Sequence, residues 1–426
     1  MEIIKLPRLE RIVFHKKGCN NIIKQMIAPE FDLPLNIEET SRSYVIINYL
    51  DAKYCLTCNK ETYPQDITYV LLTDTRPTKE KLASCSVCIK CWLKHPLLKE
   101  YSTKEVIQSW KNDFFFKEED QNNNGLRLPQ IGALHMILGH LKMPLETATV
   151  VLPTGTGKTE TMLSALVANQ CERLLVTVPS NSLRNQIFDK FESFGLLKSF
   201  GVIGKKSLYP IVGIIKEKFE TSDLLKNFLA QCNVIVTTMQ ILTGCSDEEQ
   251  NLFVSQCSHI FIDEAHHVKA PSWNLFKSKF PAEKVIQFTA TPFRNDGQRL
   301  DGKIIFNFPL KYAQEQGYFT KIDFIPIKEY DSDKADEIIA KIAVQRLRED
   351  LVKYNHILMA RCATKERVEK VFEIYKKHTD LNPVIIYSNC HDYRNVYQKI
   401  LRKEAKIIVC VDMLGEGFDL PELKIA

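Results

Sequence analysis

Short apolar runs rich in β-branched residues alternate with longer helical stretches between residue 149 and about residue 308. This alternation predicts parallel strands joined by crossover helices, which is the pattern of an α/β sheet. In open α/β sheets, ligands bind outside the carboxyl ends of the strands, so the residues that follow each run are the candidates for chemistry. The predicted strands are Thr149–Leu152, Leu174–Val178, Val234–Thr238, His259–Asp263 and Val285–Thr289.

The same alternation returns toward the carboxyl end of the chain. A charged spacer at residues 331–336 precedes a helix predicted from about Ala335 to Tyr354. Further apolar runs predict strands at Ile357–Ala360, Val384–Tyr387 and Ile407–Val411, and residues 423–426 open another. The pattern therefore predicts a first lobe over residues 126–310, a connection over residues 311–335 and a second lobe over residues 336–426.

Residues 1–125 lie outside this alternation and are predicted to form a small module of their own. The polar run at residues 121–125 closes the module and is the best candidate for a linker. The centre of the module holds cysteines at Cys-x-x-Cys spacing, and an apolar run at residues 70–74 between them predicts a strand. The cysteines and a nearby histidine are Cys55, Cys58, Cys85, Cys88, Cys91 and His95.

These cysteines predict a structural zinc site. Paired knuckles of this spacing supply enough thiolates for tetrahedral Zn²⁺ with no open coordination position. A small polar module has little core, so a bound metal would stabilise its fold. The favoured ligands are Cys55, Cys58, Cys88 and Cys91, with Cys85 as a substitute and His95 as a further candidate. The alternative is a set of scattered free thiols.

Composition and charge narrow the class of protein only slightly. Of the 426 residues, 45% are hydrophobic and 26% are charged, which is ordinary for a soluble globular protein. The formal net charge of +5 fits a polyanionic partner without identifying one. No apolar run reaches the length of a membrane span, and the first residues lack the pattern of a secretory signal. These features predict a cytoplasmic protein with reduced cysteines and no membrane partner.

The residues after the first of these strands carry the strongest chemical signal. Pro153-Thr-Gly-Thr-Gly-Lys158 and Thr159 form the tail of a phosphate loop, although Leu152 replaces the motif's first glycine. The glycines let backbone N–H groups point at phosphate oxygens, and the next helix adds its positive dipole end. Lys158 is expected to reach the β- and γ-phosphates, and Thr159 to ligate Mg²⁺. The predicted nucleotide-binding residues of the loop are Thr154, Gly155, Thr156, Gly157, Lys158 and Thr159.

The strand predicted at His259–Asp263 ends in a pair of carboxylates, Asp263 and Glu264. Asp263 would lie beside the phosphate loop and hold Mg²⁺ through water, while Glu264 would polarise the attacking water as a general base. An acidic turn explains the pair in isolation, but its position after a phosphate loop favours the catalytic interpretation. Lys158, Asp263 and Glu264 are therefore the predicted catalytic residues.

Three motifs together resemble superfamily 2 helicases of the DEAD/DEAH kind: the phosphate loop, Asp263-Glu-Ala-His266 and Thr289-Ala-Thr-Pro292. The longer stretches at residues 263–273 and 288–297 are most similar to the branch that holds type III restriction helicase subunits. The resemblance covers residues 126–426 and implies two RecA-like lobes, ATP as substrate with Mg²⁺, and a nucleic-acid partner. DNA is favoured over RNA, and a nuclease or other defence subunit is a further partner that the branch suggests.

The resemblance also implies roles for residues that spacing alone does not single out. Gln130 takes the place of a glutamine that reads adenine, and Thr289 and Thr291 match the motif that couples hydrolysis to strand movement. In the second lobe, Gly415 and Asp419 match positions that face the nucleotide across the cleft between lobes. The implied contacts with the tracking strand are Pro179, Ser180, Arg184, Thr237 and Thr238.

One part of the family pattern has no counterpart in this sequence. The Gln-x-x-Gly-Arg-x-x-Arg helix that supplies an arginine finger is missing, and residues 423–426 begin a strand at which the sequence stops. We therefore expect the sequence to be an amino-terminal piece of a longer protein that binds ATP–Mg²⁺ and hydrolyses it slowly. Robust hydrolysis would point to another source of the finger, such as Arg294, Arg361 or a partner chain.

The function predicted from the sequence is ATP-dependent translocation along, or unwinding of, a nucleic acid, and the resemblance to the type III restriction branch implies a place in restriction or antiphage defence. The alternative is a nucleic-acid sensor or scaffold that uses ATP as a clamp and does not unwind. Strand-displacement and ATP-dependent binding assays separate the two. A P-loop kinase or GTPase is disfavoured because nothing after Asp263 resembles an acceptor or guanine site.

Overall fold

The computed structural model of the 426-residue chain divides into two compact units, Met1–Phe319 and Thr320–Ala426. Each unit has sheets and apolar cores of its own, and each is described by itself below. The residues that the structure describes are 2–97, 99–143, 146–267, 271–292, 300–318, 323–387, 390, 392–411, 420 and 422–426.

The first unit contains sixteen strands and ten α-helices among the described residues. Its strands are β1 Ile3–Leu6, β2 Leu9–His15, β3 Ile22–Ala28, β4 Phe31–Pro34, β5 Ile37–Thr40, β6 Tyr44–Tyr49, β7 Ala52–Thr57, β8 Tyr69–Thr73, β9 Ile89–Lys94, β10 Ala148–Val151, β11 Leu174–Val178, β12 Ile211–Ile214, β13 Val234–Thr238, β14 His259–Ile262, β15 Val285–Thr289 and β16 Lys303–Asn307. Its helices are α1 Lys79–Ala83, α2 Thr103–Ser109, α3 Leu128–Lys142, α4 Lys158–Ala168, α5 Asn181–Ser193, α6 Ser222–Ala230, α7 Met239–Gly244, α8 Asp247–Gln256, α9 Pro271–Lys277 and α10 Leu310–Glu315.

A nine-stranded sheet organises the first unit, with the order β16-β10-β15-β14-β11-β13-β12-β3-β2. The strands from β16 to β12 all run parallel, so their carboxyl ends meet at one edge. Strands β10, β11 and β13 are buried along their whole length, as expected of parallel strands covered on both faces. The five strands predicted for the first lobe are confirmed, and the α/β class with them.

The region before residue 125 contributes to the sheet of the first lobe as well as to sheets of its own. Strand β3 pairs antiparallel with β12, and β2 pairs antiparallel with β3. Ile23 and Met26 of β3 are buried in the same apolar core as the parallel strands. The physical reason is that β12 would otherwise be a buried edge with unpaired backbone groups. The boundary at residue 125 stays a prediction, but this hairpin belongs to the larger sheet.

The rest of the amino-terminal region forms two small sheets. Strands β1 and β4 pair antiparallel, and five strands lie in the order β5-β6-β7-β8-β9. Between β7 and β8 the pairing is parallel, and the strand predicted at residues 70–74 is β8. These sheets have their own apolar cluster, which includes Leu6, Leu33, Val45 and Leu56. These small sheets therefore pack around a hydrophobic core of their own.

The second unit is a smaller parallel α/β domain. Its described elements are the helices α11 Ser332–Leu351, α12 Lys365–Tyr375 and α13 Tyr393–Leu401, and the strands β17 Ile357–Cys362, β18 Val384–Ile386, β19 Ile407–Val411 and β20 Leu423–Ile425. The strands lie in the order β18-β19-β17-β20, and all three pairings are parallel. The predicted helix and strands are confirmed, including the strand that begins at residue 423.

Candidate nucleotide-binding site and nucleic-acid edge

The phosphate loop connects β10 to α4 at the carboxyl edge of the large sheet. Gly155 and Gly157 adopt left-handed backbone conformations with φ of 83° and 93°, which a residue with a side chain rarely adopts. Gly157 is the N-cap of α4, so Lys158 and Thr159 begin the helix. The hydroxyl of Thr156 donates to Pro153 O at 2.6 Å and ties the loop together from within. The exposed Thr154 and Gly155 form its outer side.

Helix α3 packs against the back of this loop through Gln130. The Gln130 side-chain amide donates to Gly157 O at 3.2 Å, and its Oε1 accepts from Arg127 N at 2.7 Å. A Cβ at position 157 would lie 1.9 Å from Gln130 Nε2, so only glycine fits there. The predicted reading of adenine by Gln130 stays a prediction, since its amide in this structure braces the loop.

Lys158 lies between the loop and the two strand-end carboxylates. Its ammonium contacts Glu264 Oε1 and lies 3.9 Å from Asp263 Oδ1. The side chains of Lys158 and Asp263 are almost completely buried, and that of Glu264 is 14% exposed. The structure thus brings the three predicted catalytic residues together, although they come from different parts of the sequence. Their roles in catalysis stay predictions.

The backbone at Glu264 is in the left-handed region, with φ of 48°. This uncommon conformation turns the side chain back toward Lys158 directly after the strand, and the Glu264 N–H donates to Asp263 Oδ1 at 3.0 Å. The second carboxylate oxygen, Glu264 Oε2, is buried and accepts no hydrogen bond from the described residues. It is 3.4 Å from His266 Nδ1. A buried carboxylate oxygen of this kind is suited to accept a proton from a water molecule.

A hydrogen bond joins the end of β14 to the end of β15. His266 Nδ1 lies 3.0 Å from Thr289 Oγ1. The Thr289 hydroxyl donates to Thr291 O at 2.7 Å, so its proton is used and the His266 N–H is the donor toward it. Thr291 N donates back to the same hydroxyl at 3.2 Å. The predicted coupling residues are therefore in hydrogen-bond contact with the segment that carries the predicted base.

The residues predicted to contact the tracking strand lie at the ends of β11 and β13, on the same edge. Ser180 is the N-cap of α5 and Thr238 is the N-cap of α7, and Pro179 is half-buried beside them. Arg184, Thr237 and Thr238 are buried, and the first two donate to Ile215 O, at 3.5 and 3.2 Å. Burial also lowers the pKa of the Arg184 guanidinium. Their contact with nucleic acid stays a prediction, but their observed role is to hold the loop that follows β12.

Comparison with known families identifies this arrangement. Residues 123–294 match the family described as the res subunit of type III restriction enzymes. The chain carries a superfamily 2 helicase domain. The match contains the phosphate loop, the Asp-Glu-Ala-His segment and both predicted strand-contact motifs, so the predicted family is confirmed. The chain has the motifs and the relatives of ATP-dependent helicases and is an ATP hydrolase of that class.

Relatives of the helicase domain extend the similarity over about two thirds of the chain. The DNA 3'-5' translocase XPB2 of Sulfurisphaera tokodaii is 23% identical in an alignment of 331 residues that covers 65% of this chain and 69% of that protein. The ATP-dependent helicase FUN30 of Saccharomyces cerevisiae is 26% identical over 278 residues, which are 63% of this chain and only 22% of that protein. Among solved structures, the DNA-bound Type ISP restriction-modification enzyme LlaBIII is similar with a TM-score of 0.48 and 16% identity, over 71% of this chain and 25% of that one.

Some predicted residues fall outside the part of the chain that the structure describes. These are Gly415 and Asp419, whose predicted contact with the nucleotide stays a prediction, and Arg294. Arg361 lies on β17 of the second unit. In the described residues of the chain, no helix is long and apolar enough to cross a membrane.

The structure does not bring the predicted zinc ligands together. In the described part of the chain, no three metal-ligating side chains form a group that could hold an ion. Cys55 faces an apolar cluster with Ile46, Ile67 and Val70, and burial raises the pKa of its thiol to about 12. Cys55 is therefore packed inside this cluster, whereas the other four predicted thiols are exposed. The zinc prediction is not supported.

His95 also has another role in the structure. Its ring packs edge-on against Tyr69 and Trp92, with centroids 5.0 and 4.7 Å apart. Its Nδ1 accepts from Leu97 N at 3.0 Å, and burial lowers the pKa of the imidazole. The residue therefore belongs to the core of the small sheet, while the thiols of Cys58, Cys85, Cys88 and Cys91 are exposed.

The arrangement of thiols predicts their reactivity. In native protein, we expect iodoacetamide to alkylate Cys58, Cys85, Cys88 and Cys91, because they are exposed, and to spare Cys55 until the protein is unfolded. Peptide mass mapping with and without denaturant measures this directly. Protection of all five thiols in native protein, together with about one zinc per chain by elemental analysis, would contradict the structure and restore the zinc site.

Arg127 is a residue of the helicase domain that the sequence motifs do not reveal. Its guanidinium donates to Gly155 O at 2.9 Å, lies 3.5 Å from Glu119 Oε2 and stacks on the Tyr318 ring at 5.2 Å. It braces the outer side of the phosphate loop as Gln130 braces the inner side. The only sequence signal is its position three residues before Gln130, which by itself indicates nothing.

Proposed function

We propose that this protein is a nucleic-acid translocase or helicase that hydrolyses ATP between two RecA-like lobes. The observation that carries the proposal is the meeting of Lys158, Asp263 and Glu264 at the carboxyl edge of a parallel sheet. The relative XPB2 is named as a DNA translocase, and the LlaBIII enzyme was solved bound to DNA. Both favour DNA over RNA as the polymer.

The ion pair at the site suggests how binding and hydrolysis are connected. Lys158 contacts Glu264, so the positive ammonium and the negative carboxylate neutralise each other. A triphosphate offers Lys158 several anionic oxygens in place of one carboxylate, and the loop N–H groups orient them. When Lys158 turns to phosphate, Glu264 is left to take the proton of an attacking water. Substrate binding therefore releases the base at the moment when it is needed.

The residues at the site fit a magnesium ion. Asp263 is a buried carboxylate beside the loop, and Thr159 begins α4 with a half-buried hydroxyl, so both supply the hard oxygen ligands that Mg²⁺ prefers. Bound there, the ion would neutralise charge on the phosphate oxygens. Asp263 is held in place by the Glu264 N–H at 3.0 Å.

Stimulation of ATP hydrolysis by nucleic acid is the test of this function. Phosphate release is measured with single-stranded DNA, duplex DNA and RNA of equal length, and strand displacement is followed on a partial duplex. The proposal expects hydrolysis to rise with DNA and to be lost in Lys158→Ala. Binding of DNA that depends on ATP, without displacement or movement, would instead identify a sensor or clamp.

The hydrogen bond between His266 and Thr289 predicts a variant in which hydrolysis and movement separate. Thr289→Val keeps the β-branched shape and removes the hydroxyl that bonds His266 and Thr291. We expect strand displacement to fall about tenfold, the effect of losing roughly 1.4 kcal/mol of coupling, while ATP turnover stays within threefold. Ser255→Ala on α8 removes an exposed hydroxyl that bonds only Leu252 O and is the control. An equal loss of both activities would show that Thr289 acts in hydrolysis itself.

The match to the res subunit also supports a place in restriction or antiphage defence, with a nuclease as a partner chain. The proposal expects phage to plate less efficiently on cells that produce the protein. That protection should disappear with Glu264→Gln, which preserves the fold. Equal plating of phage on cells that produce the protein and on cells that do not would rule out the defence role and leave the translocase proposal unaffected.

A further inference from the structure

The turn between β2 and β3 lies at the same edge of the sheet as the helicase motifs. Strand β3 pairs antiparallel with β12, and Ile22, its first residue, is opposite Ile214, the last residue of β12. Because β12 is parallel to β13, its last residue lies at the carboxyl edge, next to the N-terminal ends of α5 and α7. The turn at residues 16–21 is therefore placed where the tracking strand is proposed to bind.

Two asparagines fasten this turn to the loop that follows β12. Asn21 is fully buried, and its Oδ1 accepts from Lys216 N at 2.7 Å and Glu217 N at 3.1 Å. Its Nδ2 donates to Glu217 O at 3.0 Å. Asn20 donates through its backbone and its side chain to the Glu217 carboxylate, at 2.8 Å each. Asn21 thus holds the loop through the loop's own backbone, and Asn20 adds bonds to the Glu217 side chain.

The loop held by Asn21 is the one that Arg184 and Thr237 bond. Both residues donate to Ile215 O, directly before Lys216. Lys218 then lies beside the carboxyl end of α7, since a Cβ at Gly244 would meet Lys218 Cε at 3.1 Å. A continuous chain of contacts therefore runs from the amino-terminal turn to both strand-contact motifs.

The exposed charge on this surface is positive. Lys17, Lys216 and Lys218 are exposed and form no ion pair with the described residues. Residues 16–21 and 215–220 together hold four lysines and two glutamates, and Glu220 pairs with Lys16 at 2.5 Å, so the two segments keep a net positive charge. The N-terminus of α5 at the same edge adds partial positive charge. This is the electrostatic pattern that binds a phosphate backbone.

We propose that the β2–β3 turn is part of the nucleic-acid interface, with Lys17, Lys216 and Lys218 binding backbone phosphates and Asn21 positioning their loop. The inference rests on the proposed function and assigns to it a surface outside the family motifs. The contacts carry no base readout, so they would strengthen binding to any sequence alike.

Salt dependence of binding tests the proposal. Lys17→Ala/Lys218→Ala is compared with the parent chain in binding a fluorescein-labelled 20-residue oligo-dT by anisotropy over a range of salt concentrations. Losing two phosphate contacts should lower the slope of log K against log salt by about 1.4 and weaken binding about 25-fold at 0.1 M salt. The matched control is Lys142→Ala/Lys303→Ala, which removes two exposed lysines at the amino edge of the sheet and should change neither value.

Asn21 is tested as a positioning residue with a separate measurement. Asn21→Ser should raise the DNA concentration needed for half-maximal stimulation of hydrolysis at least fivefold and leave the KM for ATP unchanged. A loss of general folding would change both. If the parent binds DNA and the lysine variant keeps the parent's slope and affinity, the proposed surface is wrong while the proposed function stands. If the parent binds no DNA, both are wrong.

Discussion

Glu264→Gln is expected to bind ATP at least as tightly as the parent and to turn it over about 10²–10⁴ times more slowly, the usual contribution of a general base. Glutamine keeps the size of the side chain but cannot take a proton from water. It also removes the negative charge that contacts Lys158, so the ammonium is freer to bind phosphate. Lys158→Ala should instead lose tight binding of the triphosphate, and its turnover with it, because Lys158 contacts phosphate in the ground state.

The measurement pairs phosphate release with binding of a fluorescent ATP analogue. Glu160→Gln is the matched control, since it makes the same chemical change two residues after Lys158 at a carboxylate that faces Lys190 at 3.2 Å. The control should keep both binding and turnover. Turnover at the parent rate in Glu264→Gln would show that another group activates the water, whereas a loss of binding would show that Glu264 mainly shapes the loop.

Gly157→Ala is expected to abolish tight ATP binding, with a loss of at least about thirtyfold, or about 2 kcal/mol. Two independent costs meet at this position. The left-handed backbone, with φ of 93°, is unfavourable for alanine, and the new Cβ would lie 1.9 Å from Gln130 Nε2. Either the loop or Gln130 must move, and the bond from Gln130 to Gly157 O is lost.

Binding of the fluorescent analogue and thermal unfolding measure this variant. Gly139→Ala is the control, because Gly139 lies within α3 and its added Cβ would meet no atom within 4 Å. That change should leave binding intact and raise stability, since alanine favours a helix. Gly157→Ala/Gln130→Ala separates the two costs: recovered binding would assign the loss to the clash, and unrecovered binding would assign it to the backbone. Full binding in the single variant would refute the constraint.

The sequence was sufficient to predict the parallel sheet of the first lobe and the parts of the nucleotide site. Buried parallel strands are apolar along their whole length, so Leu174–Val178 and Val234–Thr238 stand out without tertiary information. Parallel strands also place their carboxyl ends together, so Lys158 and Glu264 could be expected to meet although 106 residues separate them. Both predictions rest on the local hydrophobic pattern of the strands and on the common carboxyl edge of a parallel sheet.

The spacing of the cysteines led to a zinc prediction that the structure does not support, because several kinds of structure share this spacing. Paired Cys-x-x-Cys motifs are typical of zinc sites, but Cys55 is on a strand whose alternation points its thiol into a core. The sequence shows the spacing of the cysteines along the chain, but it does not show on which face of the sheet each thiol lies. That face depends on the register of β7 between β6 and β8, which only the assembled sheet determines.

Contacts between distant, individually unremarkable residues were decided by the tertiary structure alone. Asn21 and Lys216 are 195 positions apart, and neither belongs to a motif. They meet because β12 would be an open edge of the sheet and β3 supplies its missing hydrogen bonds, which places the turn beside the helicase motifs. The sequence by itself determined that the chain has an ATP-dependent helicase domain. The tertiary structure decided what surrounds it, because edge pairing depends on unpaired backbone groups, which all residue types except proline carry alike.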